Sequence, residues 1–307
     1  MNILVTGGAG FIGSHIVDSY LELGHNVTII DNLSTGKREN LNPKAKFVEM
    51  DIKDDGISQV FEDGNFDVLS HQAAQMDVRV SVNDPKFDAH NNIIGSLNLY
   101  ENCNRYNVKK IIFASSGGTI YGEQDDFPCA EEHKKNPVSP YGIGKLTNEY
   151  YLYYYKQVYG ISYAALRYGN VFGPRQNPNG EAGVIAIFAN KLIKNEQPII
   201  NGDGLITRDY IYISDVVEAN VKSLEEKVEG SYNVTTGIET NVNEIFRVLK
   251  EKTNSKIEEF HGPAKKGEQR RSVCSYSKFE TKHNWSPKIS FEDGIDKTVK
   301  YFKSLNK

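Results

Sequence analysis

The stretch 6-TGGAGFIG-13 decides the fold of this chain because of where it stands in the sequence. The short apolar run 2-NILVT-6 leads into it, and the helical pattern 11-FIGSHIVDSYLEL-23 starts inside it. A buried strand, a glycine-rich turn and a helix in this order are typical of the first unit of a parallel α/β sheet.

The glycines of this stretch are spaced as in a dinucleotide-binding turn. They fit G-x-G-x-x-G through Gly8, Gly10 and Gly13, and also G-x-x-G-x-x-G through Gly7, Gly10 and Gly13. Glycine lets the backbone turn tightly and approach a pyrophosphate, which then rests on the helix N-terminus. The motif and its strand–turn–helix context together predict a dinucleotide site.

An acidic residue at the end of the second apolar run indicates which dinucleotide is bound. Asp31 ends 26-NVTIID-31, 18 residues after Gly13. An acid at this distance binds the adenosine ribose and disfavours a 2′-phosphate, so we expect NAD. Lys37 and Arg38 stand close enough to accept such a phosphate, which keeps NADP as the alternative.

The alternation of apolar runs and helical segments predicts an α/β fold with a Rossmann-like, doubly wound parallel sheet. The strand candidates are 2–6, 26–31, 46–50, 66–74, 110–116 and 162–168, with helical patterns at 86–106 and 140–159. After Tyr168 the alternation becomes irregular, which predicts a smaller mixed α/β C-terminal lobe for the substrate. We assign 1–169 and 209–236 to the NAD-binding domain, and 170–208 and 237–307 to the substrate lobe.

Composition narrows the class of protein. The 307 residues are 39% hydrophobic with a net charge of −4, which gives no sign of a nucleic-acid partner. The three cysteines, Cys103, Cys129 and Cys274, suit neither a disulfide framework nor a metal site, and no histidine shows metal-ligand spacing. The first residues, MNILVTGG, form a short apolar run unlike a charged leader, and no apolar run reaches membrane-spanning length. We therefore expect a cytoplasmic protein without a metal and without a membrane partner.

Tyr141 and Lys145 lie four residues apart in 139-SPYGIGK-145, at the start of a predicted helix. They share one helix face, with Ser139 as the cap and Pro140 in the first turn. An ammonium about 4 Å away would lower the pKa of a phenol by about three units, toward 7. The pair is then a general base with its activator, whereas the competing interpretation is an ordinary pair on the surface.

Two glycines, Gly142 and Gly144, lie between these residues, and each costs about 1 kcal/mol in a helix interior relative to alanine. We expect that side chains here would obstruct the approach of the helix to the cofactor or its packing on the sheet.

Six motifs spread over almost the whole chain resemble one known family. They are TGGAGFIGSH (6–15), DNLSTGKREN (31–40), FASSGGTIYGE (113–123), YGIGK (141–145), RYGNVFGPRQ (167–176) and TRDYIYISDV (207–216). Together they resemble the extended short-chain dehydrogenase/reductases, and most closely the UDP-glucose 4-epimerases. The resemblance implies an isomerase that oxidises a UDP-hexose at C4 with NAD and reduces the 4-keto sugar on its other face. Tyr141 would take the proton of the 4-hydroxyl.

The resemblance also implies which residues hold NAD. Besides Gly7, Gly10, Gly13, Tyr141 and Lys145, they are Phe11, Ile12, Asp31, Asn32, Ser34, Thr35, Gly36, Asp51, Ile52, Gln72, Ala73, Ala74, Asn92, Ser115 and Tyr168.

The serine of the catalytic set is left open between neighbouring positions. The resemblance assigns Ser116 to a hydrogen bond with the reacting hydroxyl and places Thr119 beside the sugar. The segment has one residue more between its phenylalanine and its tyrosine than the commoner family form. Counting back from the tyrosine lands on Gly117, and Ser115 is also a candidate.

The substrate diphosphate needs cations or amide donors. Arg208 and Asn170 match the family positions at these phosphates, and Arg270 is the second candidate cation. Lys265 and Lys266 stand where some relatives have an arginine, so the second clamp is left open between them and Arg270.

Two positions bear on the sugar and on the reaction. Ser272 falls where the family has a residue lining the sugar pocket, and a serine leaves room for a 2-N-acetyl group. Related dehydratases have an Asp–Glu pair where this chain has Gly117, Gly118 and Thr119, which favours epimerisation. The alternatives are a nucleotide-sugar dehydratase or decarboxylase, and a non-catalytic NAD-binding sensor.

The tyrosine-rich segment 149-EYYLYYYKQVY-159 covers more than one face of its predicted helix. The resemblance implies a homodimer interface formed by this helix and the helix at 86–106, and aromatic enrichment suits an interface.

Overall fold

The structure, a computed structural model, describes residues 1–178, 183–264 and 269–305. Within them the strands are β1 (Asn2–Thr6), β2 (Asn26–Asp31), β3 (Lys46–Glu49), β4 (Val68–His71), β5 (Lys110–Ser116), β6 (Ser162–Tyr168), β7 (Asn170–Phe172), β8 (Ile200–Asn201), β9 (Thr207–Tyr212), β10 (Gly230–Val234), β11 (Glu239–Asn241) and β12 (His261–Gly262). The α-helices are α1 (Phe11–Glu22), α2 (Ile57–Gly64), α3 (Val78–Asn83), α4 (Pro85–Ala89), α5 (Gly95–Arg105), α6 (Pro140–Tyr159), α7 (Val184–Ile193), α8 (Ile213–Lys222), α9 (Val242–Thr253), α10 (Ser277–His283) and α11 (Phe291–Leu305). A π-helix at His90–Ile94 joins α4 to α5, and a short 3₁₀ helix covers Arg38–Asn40.

The centre of the fold is a seven-stranded sheet in the order β10-β6-β5-β4-β1-β2-β3. Every pairing in it is parallel. Side chains alternate between its faces: Ile3 and Val5 pack with α1 and α8, whereas Leu4 packs with α2 and α5. Helices therefore cover both faces, which confirms the doubly wound parallel sheet.

A second, smaller lobe has its own sheet and its own core. Its three-stranded sheet has the order β11-β9-β7, with β9 antiparallel to β11 and parallel to β7. Helices α7, α9 and α11 surround its core, which includes Phe172, Phe188 and Phe246. This confirms the mixed α/β character of the second lobe.

From their sequence, the segments 209–226 and 231–236 could both rejoin the main sheet, and their strands behave differently. β10 pairs with the edge of the sheet at β6, as expected. β9 instead pairs with β7 and β11, so the expectation was wrong for this strand. The division into 1–169 with 209–236, and 170–208 with 237–307, stays a prediction. Among the described residues, no helix is both long and apolar enough to cross a bilayer.

Candidate active site

The turn between β1 and α1 fits a dinucleotide phosphate. Gly7 has a φ of +71°, which L side chains rarely adopt, and a Cβ on Gly13 would lie 2.1 Å from the Gly7 carbonyl oxygen. Among the described residues, no side chain caps α1, and its first turn holds no acid. The N–H groups and the positive end of the helix dipole therefore face the turn, which suits an anion.

Asp31 lies beside this turn, as the spacing predicted. It is buried at the end of β2 and accepts hydrogen bonds from the backbone N–H groups of Ala9 (3.0 Å) and Leu33 (2.8 Å). Burial raises the pKa of its carboxyl group. Both neighbouring cations have glutamate partners: Lys37 pairs with Glu39 at 3.2 Å, and Arg38 pairs with a glutamate of β3. Both ion pairs are exposed and weak, so the Asp31 carboxylate, which disfavours a 2′-phosphate, is the feature that favours NAD.

The other residues predicted to hold NAD surround the carboxyl ends of the main-sheet strands. Phe11 and Ile12 form the first turn of α1, and Ala73 is so close to the glycine turn that a Cβ on Gly7 would lie 2.7 Å from its nitrogen. Three groups follow the ends of β2, β3 and β4: Asn32, Ser34, Thr35 and Gly36; Asp51 and Ile52; Gln72, Ala73 and Ala74. Ser115 and Tyr168 lie within the last two residues of β5 and β6.

Hydrogen bonds join these groups to one another. The Asn32 amide donates to Asp51 (2.9 Å), and the Tyr168 hydroxyl donates to Gln72 (3.2 Å). The loops that would surround the cofactor are therefore tied together by side chains of this set.

Asn92 differs from the rest of the set, because protein groups already use its side chain. Its amide donates to the Gln75 carbonyl oxygen (2.8 Å) and to Asp88 (2.9 Å), and its oxygen accepts from the Gln75 N–H (2.8 Å). Asn92 lies in the π-helix, and its carbonyl oxygen accepts from the Asn148 amide at 2.7 Å. The residue therefore positions the loop after β4 and connects it to α6.

Tyr141 and Lys145 share one face at the start of α6, as predicted. Ser139 caps this helix through the Gly142 N–H at 3.1 Å, and Pro140 is its first residue. The Lys145 ammonium lies 5.6 Å from the centroid of the Tyr141 ring and donates to the Ala114 carbonyl oxygen at 2.8 Å.

The electrostatics of this pair differ from the expectation. Burial raises the pKa of Tyr141, and the Asp88 carboxylate raises it further. Burial also lowers the pKa of Lys145 to about 8, with Asp88 acting in the opposite direction. The expected fall of the tyrosine pKa toward 7 is therefore wrong as far as the protein groups alone are concerned. The phenol is desolvated, and the ammonium is bound to a carbonyl oxygen rather than to the phenol.

The two glycines beside the tyrosine have different neighbours. A Cβ on Gly142 would lie 2.7 Å from the Thr119 carbonyl oxygen and 3.0 Å from Pro137 Cβ. A Cβ on Gly144 would lie 3.6 Å from Asp88 Oδ2, which is ordinary contact. Close packing on the protein explains Gly142, whereas Gly144 has room for a methyl group.

The structure distinguishes between the candidate serines. The Ser115 hydroxyl donates to Glu149 at 2.6 Å in a buried network. Among the described residues, no hydrogen bond involves the hydroxyl of half-buried Ser116. Gly117 has no side chain and donates its N–H to the Tyr168 carbonyl oxygen at 2.8 Å. Ser116 is therefore the serine whose hydroxyl is available to a ligand.

Thr119 provides a second available hydroxyl. Its Oγ1 atom is buried, and it has no hydrogen-bond partner among the described residues. Its carbonyl oxygen lies beside Gly142 in the first turn of α6, so the residue is next to Tyr141 in space. A buried hydroxyl without a partner costs free energy unless a ligand or water satisfies it. This position is therefore suited to a polar ligand.

The residues predicted to bind the diphosphate come together along β9. The Asp209 N–H donates to the Ser272 carbonyl oxygen at 3.0 Å, so the segment of Arg270 and Ser272 runs beside β9 next to Arg208. The Asn170 amide also contacts this strand and donates to the Asp209 carbonyl oxygen at 3.3 Å.

These residues differ in exposure. Arg208 is half-buried and donates to its neighbour's carbonyl oxygen at 2.8 Å. The Arg270 side chain is 75% exposed and lies 3.9 Å from Asp203. Ser272 is buried. The alternative clamp, Lys265 and Lys266, lies outside the described residues.

Sequence reasoning missed a buried network that holds α6 on the sheet. Arg167 of β6 makes two hydrogen bonds to Glu149, at 2.9 and 2.6 Å, and donates to Tyr121 at 2.8 Å. Sequence reasoning also missed Asp88. This residue lies four positions before Asn92 in the predicted helix 86–106, so the spacing could have indicated that the two side chains are neighbours.

His71 is a buried residue of the core. His71 bonds the Thr6 hydroxyl at 2.7 Å and the Ser96 hydroxyl at 2.9 Å, and burial lowers its pKa to about 3. Among the described residues, no group of three or more His, Cys, Asp or Glu side chains is arranged to hold a metal ion.

Comparisons with known proteins agree with this geometry. Residues 3–235 match the NAD dependent epimerase/dehydratase family. A protein of Methanocaldococcus jannaschii described as a putative UDP-glucose 4-epimerase is 46% identical over 305 residues, covering 99% of each chain. The UDP-glucose 4-epimerase of Mycolicibacterium smegmatis is 40% identical over 311 residues, with the same coverage.

Solved structures extend the likeness to the whole chain. A UDP-glucose 4-epimerase with UDP-glucose from Thermotoga maritima has a TM-score of 0.98 and 47% identity, and the match covers 100% of both chains. A UDP-N-acetylglucosamine 4-epimerase from Methanobrevibacter ruminantium M1 has a TM-score of 0.93 and 38% identity, covering 99% of this chain and 98% of the other.

Proposed function

The chain belongs to the NAD dependent epimerase/dehydratase family, and we propose that it epimerises UDP-hexoses at C4, interconverting UDP-glucose and UDP-galactose. One observation carries the proposal. Tyr141 lies on α6 beside Thr119, whose buried hydroxyl has no partner among the described residues, and Ser116 ends the neighbouring strand with an available hydroxyl. These three groups lie at the same edge of the sheet as the glycine turn that fits the cofactor.

The chain's own groups handle the proton of the sugar 4-hydroxyl. Ser116 holds this hydroxyl, and Tyr141 accepts its proton during oxidation and returns a proton during reduction. Lys145 supplies a positive charge beside the phenol and Thr119 a further polar contact. Bound NAD would supply the acceptor and donor of the C4 hydride, and the positive charge of its oxidised nicotinamide would oppose the rise of the Tyr141 pKa that burial causes.

The nearest alternatives require groups that this site does not offer. Elimination of water needs an acid and a base beside the neighbouring carbons, but Gly117 and Gly118 have no side chains and Thr119 has a hydroxyl. A sensor without catalysis has no use for an available serine, tyrosine and lysine beside the cofactor. Epimerisation needs one proton-transfer group, which Tyr141 provides.

The test is to incubate the purified protein with UDP-galactose, without added NAD, and to resolve the UDP-sugars. We expect UDP-glucose to form, because the cofactor is regenerated in each turnover. Tyr141→Phe should lose at least about a hundredfold in kcat while still binding the UDP-sugar. Tyr153→Phe, an exposed position on the same helix, is the matched control. A stable keto product, released NADH or substantial activity of Tyr141→Phe would contradict the proposal.

The diphosphate is assigned to Arg208 and Asn170, with Arg270 as the second cation. The support is a set of contacts with β9, the strand that carries Arg208. The backbone N–H groups of Thr207 and Asp209 donate to the carbonyl oxygens of Arg270 and Ser272, and the Asn170 amide donates to the Asp209 carbonyl oxygen. Lys265 and Lys266 remain the alternative second clamp. The proposal extends to UDP-N-acetylhexosamines, because a serine at 272 leaves more room than an aromatic residue would.

We also propose a homodimer through α6 and the helical segment 86–106. The support is an exposed apolar surface on these elements: Phe87 is 48% exposed, Ile94 51%, Tyr150 65% and Tyr154 44%. Light scattering should give twice the monomer mass, and Tyr150→Glu should give the monomer mass. A monomer at micromolar concentration in the parent protein would contradict this. Location in the cytoplasm stays a prediction.

A further inference from the structure

Lys145 is a buried cation whose direct partner is neutral. Lys145 is 3% exposed, and its ammonium donates to the Ala114 carbonyl oxygen. The ammonium nitrogen lies 4.8 Å from the centroid of the Phe113 ring. None of the ion pairs among the described residues includes it. A buried ammonium without a compensating charge tends to lose its proton, and a neutral lysine could not support the phenolate of Tyr141.

The charge that faces this site comes from a neighbouring helix. Asp88 of α4 is 1% exposed, and its Oδ1 atom accepts from the side-chain amides of Gln75 (2.8 Å) and Asn92 (2.9 Å). The two donors fix the carboxylate so that Oδ2 faces α6. Gly144 is the residue before Lys145, and a Cβ atom added to it would lie 3.6 Å from Asp88 Oδ2. The missing side chain at Gly144 leaves the carboxylate a clear approach to this helix.

We propose that Asp88 is the counter-ion of the buried Lys145 ammonium, a positioning residue that keeps the lysine charged beside Tyr141. Its catalytic meaning rests on the proposed function. The carboxylate acts across the gap left by Gly144 rather than through a direct ion pair. Gln75 and Asn92 hold it in place.

The charged and titratable groups around the lysine agree with this assignment. From β4, His71 faces the site, but burial lowers its pKa to about 3, so it is neutral at neutral pH. From α6 itself, Tyr141 is protonated, because burial raises its pKa. From α4, Asp88 raises the pKa of Lys145 against the desolvation that lowers it. Among the described residues, Asp88 is thus the anion that acts on this lysine.

Removing the negative charge of Asp88 should change the pKa values of Lys145 and Tyr141 in a known direction. Asp88 raises the pKa values of Lys145 and of Tyr141, so its neutralisation should lower both. If activity requires a protonated lysine, the alkaline limb of the kcat profile moves to lower pH. A purely structural role would reduce activity or stability without moving this limb.

The test uses Asp88→Asn, whose side-chain oxygen can still accept from Gln75 and Asn92. Lysine labelled with ¹³C at Cε is titrated by NMR in the protein without substrate, and the Lys145 resonance is identified by its loss in Lys145→Met. We expect a midpoint near 8 in the parent protein and a midpoint lower by about one unit or more in Asp88→Asn. Glu62→Gln removes an equal charge on exposed α2 and should leave the midpoint unchanged.

Each outcome decides something. An unchanged Lys145 midpoint in Asp88→Asn overturns the proposal, even if the variant is less active. If the variant does not fold, the parent protein still provides a test, since the Lys145 resonance must show a second inflection where Asp88 titrates, and its absence overturns the proposal. A shifted midpoint in a protein that shows no epimerase activity would refute the proposed function and leave this inference standing.

Discussion

Gly142→Ala and Gly144→Ala add one methyl group each, two residues apart on α6, and we expect opposite effects on stability. At Gly144 the new Cβ would lie 3.6 Å from Asp88 Oδ2, 3.7 Å from Asn92 Cβ and 3.8 Å from Ile93 Cγ1. These are ordinary contacts, so the helix propensity of alanine dominates. We expect the free energy of unfolding to rise by about 0.5–1 kcal/mol.

At Gly142 the steric term dominates. The new Cβ would lie 2.7 Å from the Thr119 carbonyl oxygen and 3.0 Å from Pro137 Cβ, and neither atom belongs to a flexible side chain. Overpacking of this kind costs about 1–3 kcal/mol, which exceeds the gain in helix propensity. We expect a net loss of about 1–2 kcal/mol. Turnover should fall about tenfold or more, because the backbone of Thr119 has to move.

Urea unfolding, followed by the fluorescence of the single tryptophan, Trp285, measures both variants. Equal slopes of free energy against urea concentration would show that the midpoints are comparable. Epimerase assays with UDP-galactose give the turnover. A Gly142→Ala protein as stable and active as the parent would refute the steric argument. A Gly144→Ala protein destabilised by more than about 1 kcal/mol would show that the site has no room for the methyl group.

Three further outcomes are expected. The parent protein should epimerise UDP-N-acetylglucosamine. Ser272→Tyr should lower kcat/KM for this sugar at least about tenfold relative to UDP-galactose. If the parent and the variant discriminate equally between the two sugars, the role of Ser272 is refuted. Arg167→Met should lower the free energy of unfolding by about 3–5 kcal/mol, because it leaves the Glu149 carboxylate buried without its partner. Urea titration measures this, and adding Glu149→Leu should recover part of the loss. Burial lowers the pKa of His71 from 6.5 to about 3 in the folded protein. Between these two pH values the unfolded chain binds a proton at this histidine that the folded protein does not bind. The free energy of unfolding therefore falls as the pH falls, by up to about 1.4 kcal/mol per pH unit. His71→Gln should flatten this slope between pH 6.5 and 4, and an unchanged slope would count against the buried neutral imidazole.

The parts of the site that depend on short-range spacing were predictable from the sequence. The glycine turn, Asp31 at the end of β2, and Tyr141 with Lys145 on one face of α6 all lie where their spacing placed them. Short apolar runs that alternate with helical segments likewise predicted the parallel sheet. Each of these features is set by residues close together in the chain, so local geometry suffices to predict it.

The choice between Ser115 and Ser116 required the tertiary structure. It depends on Glu149, which is 34 residues away in the chain and takes the Ser115 hydroxyl. The membership of β9 in the small sheet depends in the same way on distant pairing partners, β7 and β11. An apolar run predicts that a segment is a strand but does not predict which neighbour it joins.

The direction of the Tyr141 pKa was also decided by the tertiary structure. The sequence placed a lysine near a tyrosine, and Coulomb attraction alone predicts a lower pKa. In the fold, burial of the phenol and the nearby Asp88 carboxylate raise it, while the lysine bonds to Ala114. Desolvation and the approach of α4 depend on how distant segments pack, and no spacing along the chain encodes them.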